Sequence, residues 1–425
     1  MLLIIMIVLS GWLPAAASAG DISRDEAVQY ALTHADEMDI ASQTSESLKA
    51  GGDELTAFTN PLLSLDSGYF ELGNNQADIP IPGFESPERN IAASITLSRV
   101  LYAGGRIDNS RSLKEVMTQE GDDAEKNTRR GLIKNVKLAF DAVLFREAAI
   151  DILSDRLNQR KNELEDAEDI YAVGLVTSLD VRQAKLSIQF AKTALDEGRM
   201  EYDKAVIDFN RVIGKPEAEE SMAPKGDLTT AWDHAPVIKR MNNALKNETF
   251  FDINALKNQM EAARLTYEIK RGAAKPEVNF VSALENSGEE PDDIRQSWSI
   301  GVKLTWNILD GGLVDAQKRG AMADYRKTTS QLSRLKKDLK SAVDTLIANI
   351  DSINRRIELQ KESVDLAKAN YEDARGQYRA GTITLTQLGD FNLAYSEARF
   401  NLLMLFYAKR NVLSEAEALL EFSAE

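Results

Sequence analysis

Two landmarks recur in this chain at one fixed separation. Gly104-Gly105, in LSRVLYAGGRI, returns as Gly311-Gly312 in LTWNILDGGLV, and Tyr171-x-x-Gly174 returns as Tyr378-x-x-Gly381, both 207 residues later. Two landmarks that move together mean a duplicated structural unit, so the fold is two copies of one half. Each copy combines short alternating segments with very long helical ones.

Proline placement shows where the helices run. None falls between Glu88 and Lys215 or between Asp292 and Glu425, and both spans are rich in Ala, Leu, Glu, Lys, Arg and Gln. Near-continuous helix is expected from about Asp108 to Tyr171 and again from about Asp315 to Tyr378. At 1.5 Å per residue such a helix is a rod of roughly 95 Å, which must pack sideways against others of its kind. Shorter helices follow, with stripes such as Ala184, Ile188, Ala191 and Leu195 at helical spacing.

Ahead of each long helix the period changes from helical to twofold. Trp298, Ile300, Val302, Leu304 and Trp306 alternate with Ser299, Gly301, Lys303, Thr305 and Asn307, and Ile91, Ala93, Ile95 and Leu97 alternate in the first copy. With partners upstream, the strands are expected at about 62–72, 91–102, 277–285 and 298–308, joined by the turn-rich LGNNQADIPIPGFESPE and NSGEEPDDIRQ. Apolar on one side and flanked by aromatics, they have the length of bilayer-spanning β-strands. Four strands do not close a barrel, and an open edge in lipid is not viable, so the chain must oligomerise; three copies supply twelve strands.

Composition narrows the function further. Residues 1–19, MLLIIMIVLSGWLPAAASA, read as a signal peptide ending in Ala17-Ser18-Ala19, although no Lys or Arg precedes the apolar run. There is no cysteine, which leaves no disulfide, no thiol chemistry and no lipid anchor on a mature N-terminal Cys. His34 and His234 are the only histidines and read as surface residues; with no nucleophile or phosphate-loop motif beside them, no enzyme, cofactor or metal site is expected. A net charge of −16 argues against a nucleic-acid partner. The resulting map is a first repeat at 20–213, a linker at 214–236 and a second repeat at 237–425. The rival reading is a soluble exported coiled-coil scaffold or adaptor.

The opening helix DISRDEAVQYAL, the two GG turns, YAVGLVTSLDVRQAKLSI and YRAGTITLTQLGDFNLAYSEARFNLL, in this order, make the chain resemble the TolC-type outer-membrane efflux proteins. The resemblance runs from about Ile22 to Leu420. It implies a mainly α fold with a small β part: a homotrimer whose 12-stranded β-barrel in the outer membrane continues into a periplasmic α-helical barrel. It further implies a passive exit duct for a tripartite efflux or type I secretion system, docked on a periplasmic adaptor protein and an inner-membrane transporter.

The helix reversals are the expected periplasmic tips. Thr177-x-x-Asp180 and Thr384-x-x-Gln387 match the capping-box pattern, again 207 apart. The family carries acidic residues at this entrance; the second aligns with Asp390 and the first with Gln387, a departure. Three Asp390 side chains would ring the constriction with negative charge, and the counterpart in copy one is the neutral Gln183. Val173-Gly174-Leu175 is expected as tip turn and adaptor contact, with Ala380-Gly381-Thr382 as its divergent counterpart. Lys303, on the polar strand face, is expected in the barrel lumen.

Overall fold

The structure is a computed structural model that describes residues 21–71, 89–216, 221–230 and 234–423. The expected leader at 1–19 lies outside them, as does the whole of the first strand connection at 72–88. In chain order the elements are β1 (Asp21–Ile22), α1 (Arg24–His34), α2 (Asp36–Ala57), β2 (Leu62–Glu71), β3 (Arg89–Tyr102), α3 (Arg106–Ala172) and α4 (Ser178–Val212). There follow β4 (Ala223–Pro224), α5 (Ala235–Asn247), α6 (Phe251–Gly272), β5 (Glu277–Gly288), β6 (Arg295–Thr305), α7 (Leu313–Arg379) and α8 (Leu385–Leu420). The fold is mainly α with a small β part.

The duplication is structural. α3 and α7 are each 67 residues long, and both their first and last residues are 207 apart. All four glycines of the GG turns have positive φ, between 65° and 91°. This left-handed backbone is what a strand needs to turn at once into a helix, and glycine adopts it without a Cβ penalty. The two turns are packed differently. A Cβ on Gly104 would lie 2.5 Å from the Gly272 carbonyl oxygen, whereas Gly311 has nothing within 4 Å.

The chain divides into two compact units, and each draws on both sequence copies. One comprises 1–40, 127–251 and 339–425; the other comprises 41–126 and 252–338. The first unit is helical. Ala27, Val28 and Ala31 of α1 share a core with Val136, Phe140 and Val143 of α3 and with Phe209 of α4, with Ile213 just beyond. The Phe140 and Phe209 rings meet edge to face at 6.0 Å. α1 starts on a capping box: the Ser23 backbone N–H donates to Glu26 Oε2 at 2.9 Å and the Glu26 N–H to Ser23 Oγ at 3.4 Å. A parallel bridge of β1 with β4 ties the start of the chain to the linker.

The second unit holds a four-stranded antiparallel sheet in the order β2-β3-β5-β6. Its register collects the alternating residues on two faces. Leu63 is opposite Leu97, Leu65 opposite Ile95, Ile95 opposite Leu284, and Leu284 opposite Trp298. The other face carries Ser64, Thr96 and Ser98, and Lys303 opposite Asn279. The apolar face is uncovered: Leu65 is 72% exposed, Trp298 73% and Val302 65%. β2 and β6 are both edges.

The strand limits correct the expected ones. β5 runs on to Gly288 and β6 begins at Arg295, so part of NSGEEPDDIRQ is ladder rather than turn. Polar side chains do not stop a hydrogen-bonded ladder, so alternation underestimates its length. β6 ends at Thr305 rather than 308, and the Trp306 indole leaves the strand to donate to the Ala274 carbonyl at 3.1 Å. His234 is the N-cap residue of α5, with Nε2 3.2 Å from Asn354 Nδ2, and so belongs to a packed junction.

Candidate functional site

The helix reversals lie at the end of the first unit. α3 stops at Ala172 and α4 starts at Ser178; α7 stops at Arg379 and α8 starts at Leu385. Gly174 and Gly381 have φ of 79° and 72°, and each receives the same bond pair: the glycine N–H reaches the tyrosine carbonyl three residues back, and the next N–H reaches one residue further back. This is the Schellman closure that ends a helix on a left-handed glycine.

The two caps use different acceptors, a carboxylate and an amide. Asp180 Oδ2 accepts from the Thr177 N–H at 2.8 Å and from its hydroxyl at 2.7 Å, and these bonds, the hydroxyl first, hold the carboxyl below its usual range. In the second copy Gln387 Oε1 accepts from the Thr384 N–H at 2.9 Å, while the Gln387 N–H donates to Thr384 Oγ1 at 3.3 Å. The amide oxygen performs the same local task, so Gln387 is a working helix cap. Asp390 lies one turn further along α8, exposed and without an ion pair among the described residues. Val173 and Leu175 are exposed, at 71% and 64%, and Thr382 is exposed with its hydroxyl donating to the Gln377 carbonyl.

Behind these turns the copies are joined by a buried polar latch that local sequence patterns do not reveal. Asp166 of α3 has a side chain only 1% exposed and accepts from two arginines of α7. Arg375 Nε approaches Oδ2 at 2.6 Å, and Arg379 Nε approaches Oδ1 at 2.7 Å. Burial opposes the charge of Asp166, but the hydrogen bonds from Arg375 and Arg379 outweigh it and hold the carboxyl below the usual range. Three residues earlier, the 2%-exposed Glu163 accepts from Arg160 Nη1 and from Asn392 Nδ2 of α8, both at 2.8 Å. Here burial prevails and pushes the carboxyl up. Burial, then the charge of Glu163, pushes the Tyr371 phenol up to about 12.

An apolar layer seals this network. Ile170 of α3 packs with Tyr371, Ala374 and Tyr378 of α7 and with Leu385 and Leu388 of α8. The duplicated tyrosines have parted in environment: Tyr171 is 49% exposed and Tyr378 1%. The Tyr378 hydroxyl is buried with no hydrogen-bond partner among the described residues. Burial, then the charges of Asp180 and Asp166, raises it to about 12.

One signal for the latch was present in the repeat. Residues about one period apart lie at the same level of neighbouring helices, and Arg375 and Arg379 follow Asp166 by 209 and 213 positions. Among the described residues no group of His, Cys, Asp and Glu is arranged to hold a metal, and no helix is long and apolar enough to cross a membrane.

Residues 241–421 match the family described as Outer membrane efflux protein. The chain is 21% identical over 390 residues to the probable outer membrane lipoprotein SilC of Salmonella typhimurium, covering 89% of this chain and 81% of SilC. It is 20% identical over 353 residues to the outer membrane protein TolC of Salmonella enteritidis, covering 80% of this chain and 70% of TolC. Among solved structures, the outer membrane protein VceC of Vibrio cholerae superposes with a TM-score of 0.79 at 15% identity, over 94% of this chain and 95% of VceC. The second part of the chain thus matches the outer membrane efflux protein family, and nearly its whole length shares the fold of VceC.

Proposed function

We propose that the chain is the outer-membrane exit duct of a tripartite efflux or type I secretion system, acting as a homotrimer. The observation that carries this reading is the sheet: four strands with one apolar, uncovered face, one polar face and two open edges. Water does not favour such a face and lipid does not tolerate such edges, so β6 of one copy pairs with β2 of the next until twelve strands close. The polar face, with Lys303, then lines the lumen, and the apolar face meets outer-membrane lipid.

The long helices continue the duct into the periplasm, with the reversals at Val173–Leu175 and Gly381–Thr382 as its inner end. That end meets a periplasmic adaptor, behind which an inner-membrane transporter supplies the energy. Asp390 and the Gln387 cap form the constriction, with the Asp166 and Glu163 latch holding α7 and α8 against α3. Passage through the duct is passive.

Single-channel recording in planar bilayers, with native mass spectrometry of the same detergent-solubilised sample, tests the reading. A trimer with discrete conductance steps is expected. A water-soluble monomer or a trimer without conductance refutes it.

A further inference from the structure

If three copies close in a ring, the edge of one must recognise the opposite edge of the next. The helices attached to those edges are α2, which leads into β2, and α7, which follows β6. Their charges are opposite. Between Leu313 and Asp338, α7 carries seven Lys and Arg against three Asp, in a chain of net charge −16. Between Ala41 and Ala57, α2 carries Glu46, Asp53 and Glu54 against the single base Lys49. All these residues belong to the same compact unit.

The repeat sets the levels. α2 and α3 run antiparallel, with Gly52 against Lys114 and Gly121 against Ser45, so residues at one level have numbers summing to 166. Carrying α3 onto α7 by the 207-residue repeat puts Arg319 level with Glu54, Asp324 with Lys49, and Lys327 with Glu46. The sign reverses on α7 where it reverses on α2. The α3 counterparts of these α7 residues, Ser112, Met117 and Glu120, show no such match, so the pattern belongs to the second copy alone.

All of these groups but Lys49 are available for a partner. Glu46, Glu54, Asp324 and Lys327 are exposed and have no ion pair among the described residues of their own chain. Arg319 is 75% exposed and, among the described residues, pairs only with Asp315, at 3.4 Å on the surface. Lys49 pairs with Asp122 at 2.9 Å on the side of α2 that faces α3.

We infer that α7 of one copy docks on α2 of the next through this charge register, a deepening of the trimer reading that rests on it. The occupant of each face is a second copy of this chain. Exposed ion pairs contribute little attraction each, but a misregistered contact opposes like charges, so the pattern selects the correct edge and level.

The absence of cysteine makes the test direct. In the full-length protein, E54C/R319C and E46C/K327C are level pairs, whereas E46C/R319C is eight residues, roughly 12 Å, out of level. A disulfide needs Cα atoms within about 7 Å. After mild oxidation, the level pairs are expected to give covalent dimers and trimers on a non-reducing denaturing gel, and the shifted pair only monomer. Monomer from the level pairs, or an equal ladder from the shifted pair, overturns the register in a sample that native mass spectrometry shows to be trimeric. A sample that is monomeric before oxidation overturns the trimer reading itself.

A second arm tests the charges. E46K/E54K is expected to lower the trimer fraction at low salt, and adding R319E/K327E is expected to restore it. Failure to restore it overturns the charge matching.

Discussion

Replacing Asp166 by Asn removes the charge at the centre of the latch while keeping the side chain's shape. The amide oxygen still accepts from one arginine while the amide N–H faces the other, and because the Arg375 and Arg379 side chains are 30% and 59% exposed, water can replace the lost acceptor. The cost is therefore well below that of stranding a buried ion. A charge-assisted hydrogen bond contributes about 1.5–3 kcal/mol, so losing one and making the other a bond to a neutral amide, with solvent access to both donors, costs about 2 kcal/mol. That is roughly a 30-fold rise in local opening. Hydrogen–deuterium exchange of the purified assembly reads it as faster exchange of the amides around 160–172 and 371–388, with the first unit's core near Phe140 and Phe209 unchanged. D373N, at the position one period from Asp166, is the control, because Asp373 is exposed. An acceleration below about threefold, under 0.7 kcal/mol, refutes the latch. So does an equal effect from D373N.

D390A is expected to lower the cation selectivity of the single-channel current without changing the native mass; unchanged selectivity refutes the ring of three carboxylates. E163Q keeps an amide oxygen for Asn392 but removes the acceptor of the 10%-exposed Arg160, and is expected to lower the Tm; an unchanged Tm refutes a stabilising role for the Arg160–Glu163 contact. The two carboxylates also answer pH in opposite senses. Asp166 is depressed, so its stabilisation is present above the ordinary aspartate range and is lost as pH falls through its lowered value; Glu163 is raised, so its charged form is a cost at neutral pH that acid relieves first. Acidification into the weakly acidic range should therefore leave exchange around Arg375 and Arg379 protected, and loss of that protection there refutes the assignment. G381A forces a Cβ into the left-handed region at φ 72° and is expected to cost about 1–2 kcal/mol, read as a lower Tm. T384A removes the cap hydroxyl at a cost of about 1 kcal/mol, and the absence of any loss in thermal unfolding contradicts the capping role.

The parts of the molecule legible in the sequence are those with a short or regular repeat. α3 and α7 were readable because proline is absent and glycine closes each end, and those are local backbone constraints. The strand faces were readable because alternate residues of a strand share a face, so Leu63, Ile95, Leu284 and Trp298 declare themselves within their own segments. Thr177 with Asp180, and Thr384 with Gln387, were readable as caps because both partners lie within one helical turn.

Other features depended on residues far apart in the chain. The β1–β4 bridge joins the chain start to the linker, and two-residue strands carry no periodic pattern. Asp166 looks like any solvated acid in a charged helix, and only the arrival of Arg375 and Arg379 from the other copy makes it a buried anion. Glu163 and Asn392, 229 positions apart, are equally silent until α3 and α8 pack.

The sequence by itself determined the duplicated architecture, the strand faces, the helix ends and the position of Asp390, because backbone sterics and side-chain periodicity act over a few residues. Only the tertiary structure decided which duplicated residues keep equal roles. Tyr171 is in solvent while its counterpart Tyr378 is sealed beneath Leu385 and Leu388. Burial and charge pairing are properties of the space between helices, and two segments that share their turns and caps acquire different chemistry when their neighbours differ.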